Sequence, residues 1–274
     1  MLPPEKARAI RDRIRANFDR GAEGYDRFEA ETSHFQELTR ALLSLAPPGA
    51  VEGARVLDVG CGTGASTRIL REAAGPRGAV VGCDLSPGML RVARERVPGV
   101  RFLVADACRL EALRGPFDLV VYNAVLFMLP DAAASVRGAR RLLRPGGALL
   151  ASFLEGVYEA ETGRPVPDLL AEMGYEPGRH AVLAWDRVLE ALGREFGEIR
   201  TRRLRLPLPP ERFLGFYGLE PMSAGLLPRL PYPERRRAVE ALAERWARNG
   251  GGAVQVWDLV AAEAGAETEA RERR

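Results

Sequence analysis

The residues best suited to chemistry are carboxylates at the ends of short apolar runs. Val56-Leu57-Asp58-Val59-Gly60-Cys61-Gly62-Thr63-Gly64 has the pattern of a buried strand that ends in a glycine turn and opens a helix. Glycines there admit backbone angles closed to other residues and let a ligand approach with no Cβ in the way. The N–H groups at the start of the next helix point toward that ligand. Gly60, Gly62 and Ala65 also satisfy the dinucleotide pattern G-x-G-x-x-A, so the turn alone has two readings. Asp58 separates them. A pyrophosphate gains nothing from a carboxylate two residues before the first glycine, whereas a ligand carrying an ammonium group does.

Val80-Val81-Gly82-Cys83-Asp84 ends a second run in another carboxylate, 24 residues past Gly60. An acid at that place can accept from both hydroxyls of a ribose, a device shared by nicotinamide enzymes, so Asp84 points to an adenosine without choosing its owner. Its structural alternative, capping the helix from Pro87, is better served by Ser86. Leu85 and Met89 would flank an adenine, or equally be ordinary core. A third run, Phe102-Leu103-Val104-Ala105-Asp106-Ala107, again ends in an acid, which could also simply cap a short helix. The fourth, Phe117-Asp118-Leu119-Val120-Val121-Tyr122, ends in Asn123.

The spacing D-x-G-x-G-x-G from Asp58 to Gly64 closely resembles motif I of the class I S-adenosylmethionine-dependent methyltransferases. That cofactor carries an α-ammonium and a sulfonium and no phosphate. The Phe117–Asn123 run is similar to the family's motif IV strand, and Arg144-Pro145-Gly146-Gly147 to its post-helix turn. These landmarks fall in the family's order between Gly53 and Phe153. The resemblance implies that Asp106 accepts from the adenine amino group while the Ala107 N–H donates to the ring. Nearer the N-terminus, Phe18, Tyr25 and Asp26 make an F-x6-Y-D pattern that resembles small-molecule methyltransferases of the ubiquinone/menaquinone and malonyl-carrier types. There the tyrosine belongs to a lid over the methionine end of the cofactor; the alternative is an aromatic that anchors its helix to the core. The implied cofactor-binding set is Tyr25, Asp58, Gly60, Cys61, Gly62, Gly64, Asp84, Leu85, Met89, Asp106, Ala107 and Asn123. No catalytic residue is assigned.

The implied reaction is in-line displacement of a methyl group from a sulfonium, leaving S-adenosylhomocysteine. Such a step needs alignment in a dry pocket more than it needs a base. A base is required only if the acceptor must lose a proton. The two histidines, His34 and His180, are therefore expected to be structural or superficial. Acceptor-pocket candidates by position are Tyr25, Phe28, Phe127, Met128, Tyr158, Tyr217 and Met222. A small-molecule acceptor is favoured. A base-methylating enzyme would carry N/D-P-P-Y/F after the fourth run, where this chain has Asn123-Ala124-Val125-Leu126. An RNA methyltransferase and a cofactor-binding protein without turnover stay open as alternatives, and a nicotinamide oxidoreductase shares only the first two landmarks.

These residues need a scaffold. Strands are expected at Val56–Val59, Ala79–Cys83, Val100–Val104, Phe117–Tyr122 and Ala148–Phe153, with helices near Thr67–Ala74, Gly88–Val97 and Asp131–Leu143. Such alternation gives βαβ units and a parallel sheet. The resemblance extends this to a Rossmann-like α/β fold of seven strands, mostly parallel, the last antiparallel. Before it, helices at Ala7–Phe18 and Thr32–Leu45 would form a lid spanning residues 1–48. Beyond it, helices are expected at Pro165–Gly174, Trp185–Glu195, Glu211–Tyr217 and Pro233–Arg248, and strands at Ile199–Leu206 and Ala253–Ala261. Pro207, Pro209 and Pro210 should break the first of these strands. The catalytic domain would span 49–262, with helical insertions near 155–180 and 207–250 placed over the C-terminal edge of the sheet. Residues 263–274 would be a charged, frayed tail.

Composition bounds the rest. The 274 residues are 46% hydrophobic and 28% charged, a globular balance. Forty basic against 37 acidic side chains give a formal charge of only +3, which disfavours nucleic acid and anionic membranes as partners. Cys61, Cys83 and Cys108 have neither disulfide nor zinc spacing, so no metal site is expected. With no long apolar stretch and a charged N-terminus, a cytoplasmic location without membrane insertion is expected. Composition does not fix the oligomeric state.

Overall fold

The computed structural model describes residues 3–178 and 184–265. At its centre lies β1 (Arg55–Val59), whose Val56, Leu57, Asp58 and Val59 are all shielded from solvent. A strand buried on both faces reads as a continuous apolar run, which is why alternation is absent here. It pairs in parallel with β2 (Ala79–Asp84) on one side and β4 (Phe117–Tyr122) on the other. Outside these lie β3 (Arg101–Val104), parallel to β2, and β5 (Leu143–Glu159), parallel to β4. Two further strands, β6 (Glu198–Leu208) and β7 (Ala253–Glu263), complete a seven-stranded sheet in the order β3-β2-β1-β4-β5-β7-β6. Strand β7 is antiparallel to both its neighbours. This is the Rossmann-like α/β sheet the sequence implied. Strand order reverses between β1 and β4, and a crevice opens beyond the C-terminal ends of strands at such a switch point.

Helices cover both faces: α3 (Ala65–Ala74) follows β1, α4 (Pro87–Arg96) follows β2, and α5 (Ala132–Leu142) precedes β5. Local chemistry sets their starts. Ser86 Oγ accepts from the Met89 N–H at 3.0 Å with Pro87 in the first turn, and Asp131 Oδ1 accepts from the Ala134 N–H at 2.9 Å. Both are N-caps that satisfy a donor the helix cannot.

The N-terminal region departs from the two short helices expected. It is one 29-residue helix, α1 (Pro4–Thr32), followed after the left-handed Ser33 by α2 (His34–Leu43). Gly21 and Gly24 weaken the helical pattern in the sequence, but packing explains them. A Cβ on Gly21 would lie 2.8 Å from Pro221, so the glycine allows close approach of a later element. Ionic bonds then fasten α1 to α4: Asp26 takes both Nε and Nη2 of Arg96, and Glu23 pairs with Arg91 at 3.0 Å. Asp19 Oδ1 accepts from Ser86 Oγ at 2.6 Å and from the Gly88 N–H at 2.9 Å.

In the second half, α6 (Val166–Glu172) packs against β5, and α7 (Trp185–Glu195) packs against α5. Helices α8 (Pro210–Tyr217), α9 (Glu220–Leu226) and α10 (Tyr232–Asn249) form the connection from β6 to β7. The sequence reading lacked α9, a helix too short for a periodic signal. It also ended the sixth strand before Pro207, which in fact sits inside β6 opposite Val254. Strand β6 is the sheet edge, where a missing N–H can face outward without breaking the ladder. Residue 263 belongs to β7, and the rest of the expected tail lies largely outside the described residues. No helix among the described residues is long and apolar enough to cross a membrane.

Candidate active site

The crevice at the switch point is a cavity of about 1200 Å³, counting its open mouth. Its floor is the turn after β1. Gly60 has φ of +71°, and a Cβ there would lie 2.5 Å from Val125, so this turn accepts only glycine. The Gly60 and Cys61 N–H groups both donate to the Cys83 carbonyl, at 2.7 and 3.0 Å, which ties the turn to the end of β2.

Asp84 stands at that end and lines the cavity. Its Oδ2 accepts from the Gly62 N–H at 3.0 Å and its Oδ1 from the Ser86 N–H at 2.8 Å. Burial nonetheless raises its pKa, against the lowering effect of these backbone donors. Each oxygen has further lone pairs for a ligand. Leu85 and Met89 line the cavity beside it, as do Ala105, Asp106 and Ala107 from the end of β3. Asp106 accepts from the Cys108 N–H at 2.9 Å through Oδ1 and from Arg11 at 2.9 Å through Oδ2.

Tyr25 lines the cavity from α1, stacked on Phe35 with ring centroids 5.1 Å apart and 17° between planes. Phe18 meets its edge at 6.3 Å. Burial holds the Tyr25 phenol well above its ordinary pKa, with Glu29 and Asp84 adding to the shift, so it is a neutral wall.

Three residues of the expected set do not line the cavity. Cys61 turns into a small apolar cluster with Leu90, Ala93, Val97 and Phe102. Gly64 faces the same helix, and a Cβ on it would touch Val97 at 3.0 Å. Asp58 is fully buried beneath the turn, where Oδ2 accepts from Thr67 Oγ1 at 2.6 Å and Oδ1 has no partner. Burial pushes its pKa up to about 7, partly offset by the Thr67 bond and augmented by Asp84. Asp58 therefore does not itself line the cavity.

Asn123 lines the cavity, but its amide is committed to protein. Nδ2 donates among the Phe35 carbonyl, Thr39 Oγ1 and Ser66 Oγ at 2.9–3.0 Å, and Oδ1 accepts from Ser152 Oγ at 2.8 Å. The next residue, Ala124, has φ of +61°. A non-glycine residue in that region is strained, and such strain clusters where a backbone is held for a ligand. The Ala124 N–H donates to Ser152 Oγ at 2.8 Å, so the same knot holds it there.

The outer half of the cavity is lined by Phe127, Met128, Tyr217 and Met222 of the expected acceptor residues. Phe28 and Tyr158 are not among its walls. Phe28 is buried against His34 and Phe216, and the Tyr158 hydroxyl bonds Glu155. The insertion of α8 and α9 contributes Phe216, Tyr217, Pro221, Met222 and Gly225, whereas among described residues the insertion near 155–180 contributes none. Arg11, Ile14, Val125, Leu129, Leu154 and Trp257 also line the cavity and were missed. Arg11 and Ile14 had no motif around them, and Trp257 lies in a strand buried on both faces, where no alternation marks the cavity side.

His34 is sealed from solvent among Phe28, Phe35, Phe216 and Trp257. Burial, with nearby Arg212, drives its pKa down to about 3, so the ring is neutral. His180 lies outside the described residues. No group of His, Cys, Asp and Glu among the described residues could hold a metal ion.

The region that carries this geometry, residues 56–147, matches the family described as a methyltransferase domain. Residues 56–147 form a methyltransferase domain. Among relatives of the chain, trans-aconitate 2-methyltransferase of Methylobacterium nodulans is 42% identical over 131 residues, 48% of each chain. Malonyl-[acyl-carrier protein] O-methyltransferase of Paenibacillus sp. is 29% identical over 194 residues, covering 66% of this chain and 70% of that one. Matches to three of the trans-aconitate relatives span about half of their length or less. In fold, the chain is similar to a solved S-adenosylmethionine-dependent methyltransferase of Thermotoga maritima, with a TM-score of 0.54 and 16% identity over 92% of this chain and 99% of that one.

Proposed function

We propose that the chain transfers a methyl group from S-adenosylmethionine to a small-molecule acceptor held in the outer half of the cavity. The observation that carries this reading is the convergence of Asp84, Asp106 and the Gly60 turn on one cavity whose far walls are apolar. The residues fit the cofactor. Asp84 would hold the ribose hydroxyls, Leu85 and Met89 would flank the adenine, and Asp106 with the Ala107 N–H would bind its polar edge. The cavity beside Gly60 and Gly62 would admit the methionine portion, with Tyr25 as its wall. Among the described residues the lining carries Asp84 and Asp106, and its one cation, Arg11, is paired with Asp106, which suits an ammonium and a sulfonium better than a pyrophosphate.

When bound, the cofactor supplies an activated methyl carbon with a neutral leaving group. The chain's own part is alignment and exclusion of water. The Asn123 knot fixes the Ala124–Val125 backbone at the floor, and α1, α8 and α9 close the walls. Alignment of this kind can supply on the order of 7–11 kcal/mol of a bimolecular barrier. His34, buried and neutral, offers the acceptor no exposed base. The N-terminal helices act as a lid over the cofactor, and the chain belongs to a soluble, cytoplasmic setting without a nucleic-acid partner.

Calorimetric titration with S-adenosylmethionine, S-adenosylhomocysteine and NAD tests the reading. Binding of both adenosyl ligands and indifference to NAD are expected. Tight NAD binding with no response to either adenosyl ligand would overturn it.

A further inference from the structure

The cavity is divided by chemistry. Its charged walls, Arg11, Asp84 and Asp106, all belong to the half assigned to the adenosine, and Arg11 already pairs with Asp106 at 2.9 Å. The other half is bounded by Phe127, Met128, Leu154, Phe216, Met222 and Trp257, and no charged side chain lines it among the described residues. Phe127 presents its ring at 6.3 Å and 62° to that of Trp257, a tilted aromatic corner. Two potential cations near this corner are unavailable. His34 is sealed away and neutral, and Arg212 is committed to Glu37 at 3.0 Å.

Resting on the methyl-transfer reading, we infer that the acceptor is a neutral molecule with an apolar, ring-containing body and not a polycarboxylate. A carboxylate moved from water into an apolar site needs a cation or several donors, and without them the cost is several kcal/mol per charge. Aconitate, the substrate named for the trans-aconitate relatives, would bring several such charges to walls that pair none of them. A planar ring matches the walls in both shape and polarity, since aromatic faces and edges pair favourably at such distances. One polar group on such a body, turned toward the cofactor half, would be the nucleophile that takes the methyl group. This choice of acceptor separates the chain from its trans-aconitate relatives.

The test titrates the full chain with 2-naphthol and with trans-aconitate, each with and without saturating S-adenosylhomocysteine, and repeats it on Met222→Arg. Met222 is half-buried, and retained S-adenosylhomocysteine binding by the variant reports that it is folded. 2-Naphthol should bind at least about tenfold more tightly than trans-aconitate, and the substitution should weaken naphthol by about tenfold or more because the longer side chain takes the ring's space and its charge would have to be desolvated against apolar walls. Equal or tighter binding of trans-aconitate to the wild-type chain would overturn the inference, as would naphthol binding indifferent to the substitution. Absence of S-adenosylhomocysteine binding would strike the cofactor reading alone, because the naphthol-to-aconitate ranking is also read on the ligand-free chain.

Discussion

Arg11 Nη1 lies 2.9 Å from Asp106 Oδ2, joining the early turns of α1 to the end of β3 across the mouth of the cavity. Both side chains are about one-fifth exposed, at 20% and 19%. The pair makes the first half of α1 a wall of the site, whereas its second half is fastened to α4 through Asp19, Glu23 and Asp26.

Opening is therefore expected in the first half of α1. Arg11→Ala should speed amide exchange in residues 4–17 and leave residues 22–32 slow. Loss of one partly exposed pair should weaken S-adenosylhomocysteine by about 1 kcal/mol or less. In the wild-type chain, adding that ligand should slow exchange in residues 4–17 more than in residues 22–32. Equal exchange in both halves, unresponsive to ligand and substitution, would make α1 permanent core.

Asp84→Ala removes an acceptor for two ribose hydroxyls and also frees the Gly62 and Ser86 N–H groups. Hydrogen bonds to a charged group contribute about 1.5–3 kcal/mol each, so a loss on the order of 2–4 kcal/mol is expected after non-additivity. That is roughly 30- to 1,000-fold in the dissociation constant. Calorimetry on the folded variant checks it, and an unchanged constant removes Asp84 from the site.

Asp58 gives the protein a pH signature. Its folded-state pKa, about 7, lies above the unfolded value of 3.8. Folding thus favours the protonated form, and this contribution is complete below about pH 4 and lost as pH rises to about 7. One pKa unit is about 1.4 kcal/mol, so on the order of 4 kcal/mol is at stake over that window. Asp58→Asn should remove this component, and its urea-derived stability should fall less than wild type's between pH 4 and 7. Parallel profiles would refute the assignment.

Asn123 ties β4, α2, α3 and β5 together through Ser152, Thr39, Ser66 and the Phe35 carbonyl. Asn123→Ala strands several buried polar groups, each costing about 1–3 kcal/mol. Chemical denaturation should show a loss of roughly 3 kcal/mol or more. A change under about 0.5 kcal/mol, the range of ordinary surface substitutions, would mean that the knot is not structural.

Tyr25→Ala should weaken S-adenosylhomocysteine by about 1 kcal/mol if a ring contact with the cationic end of the ligand is lost. Tyr25→Phe keeps the stack on Phe35 and should retain most of the affinity, since the ring and not the hydroxyl forms the wall. If the phenylalanine variant binds as poorly as the alanine one, the hydroxyl contacts the ligand instead.

The sequence by itself determined the first five strands, the glycine turn and the two acids at neighbouring strand ends. These are local facts: a buried parallel strand needs an apolar run, a turn with φ near +71° needs Gly60, and a ligand at a strand end needs a polar residue there. Trp185–Glu195 was legible to the residue because its apolar stripe and its polar face alternate cleanly. Tertiary structure decided the rest. Residue spacing does not say that Asp58 turns under the turn it precedes, that the Asn123 amide is consumed by Thr39, Ser66 and Ser152, or that Gly21 lets α1 continue against Pro221. Arg11 and Trp257 stand on the same cavity although 246 residues separate them. Which side chains share a wall depends on the register of β7 against β5 and on where α8 and α9 return. Those relationships are set by burial of surfaces from distant segments, and no local pattern encodes them.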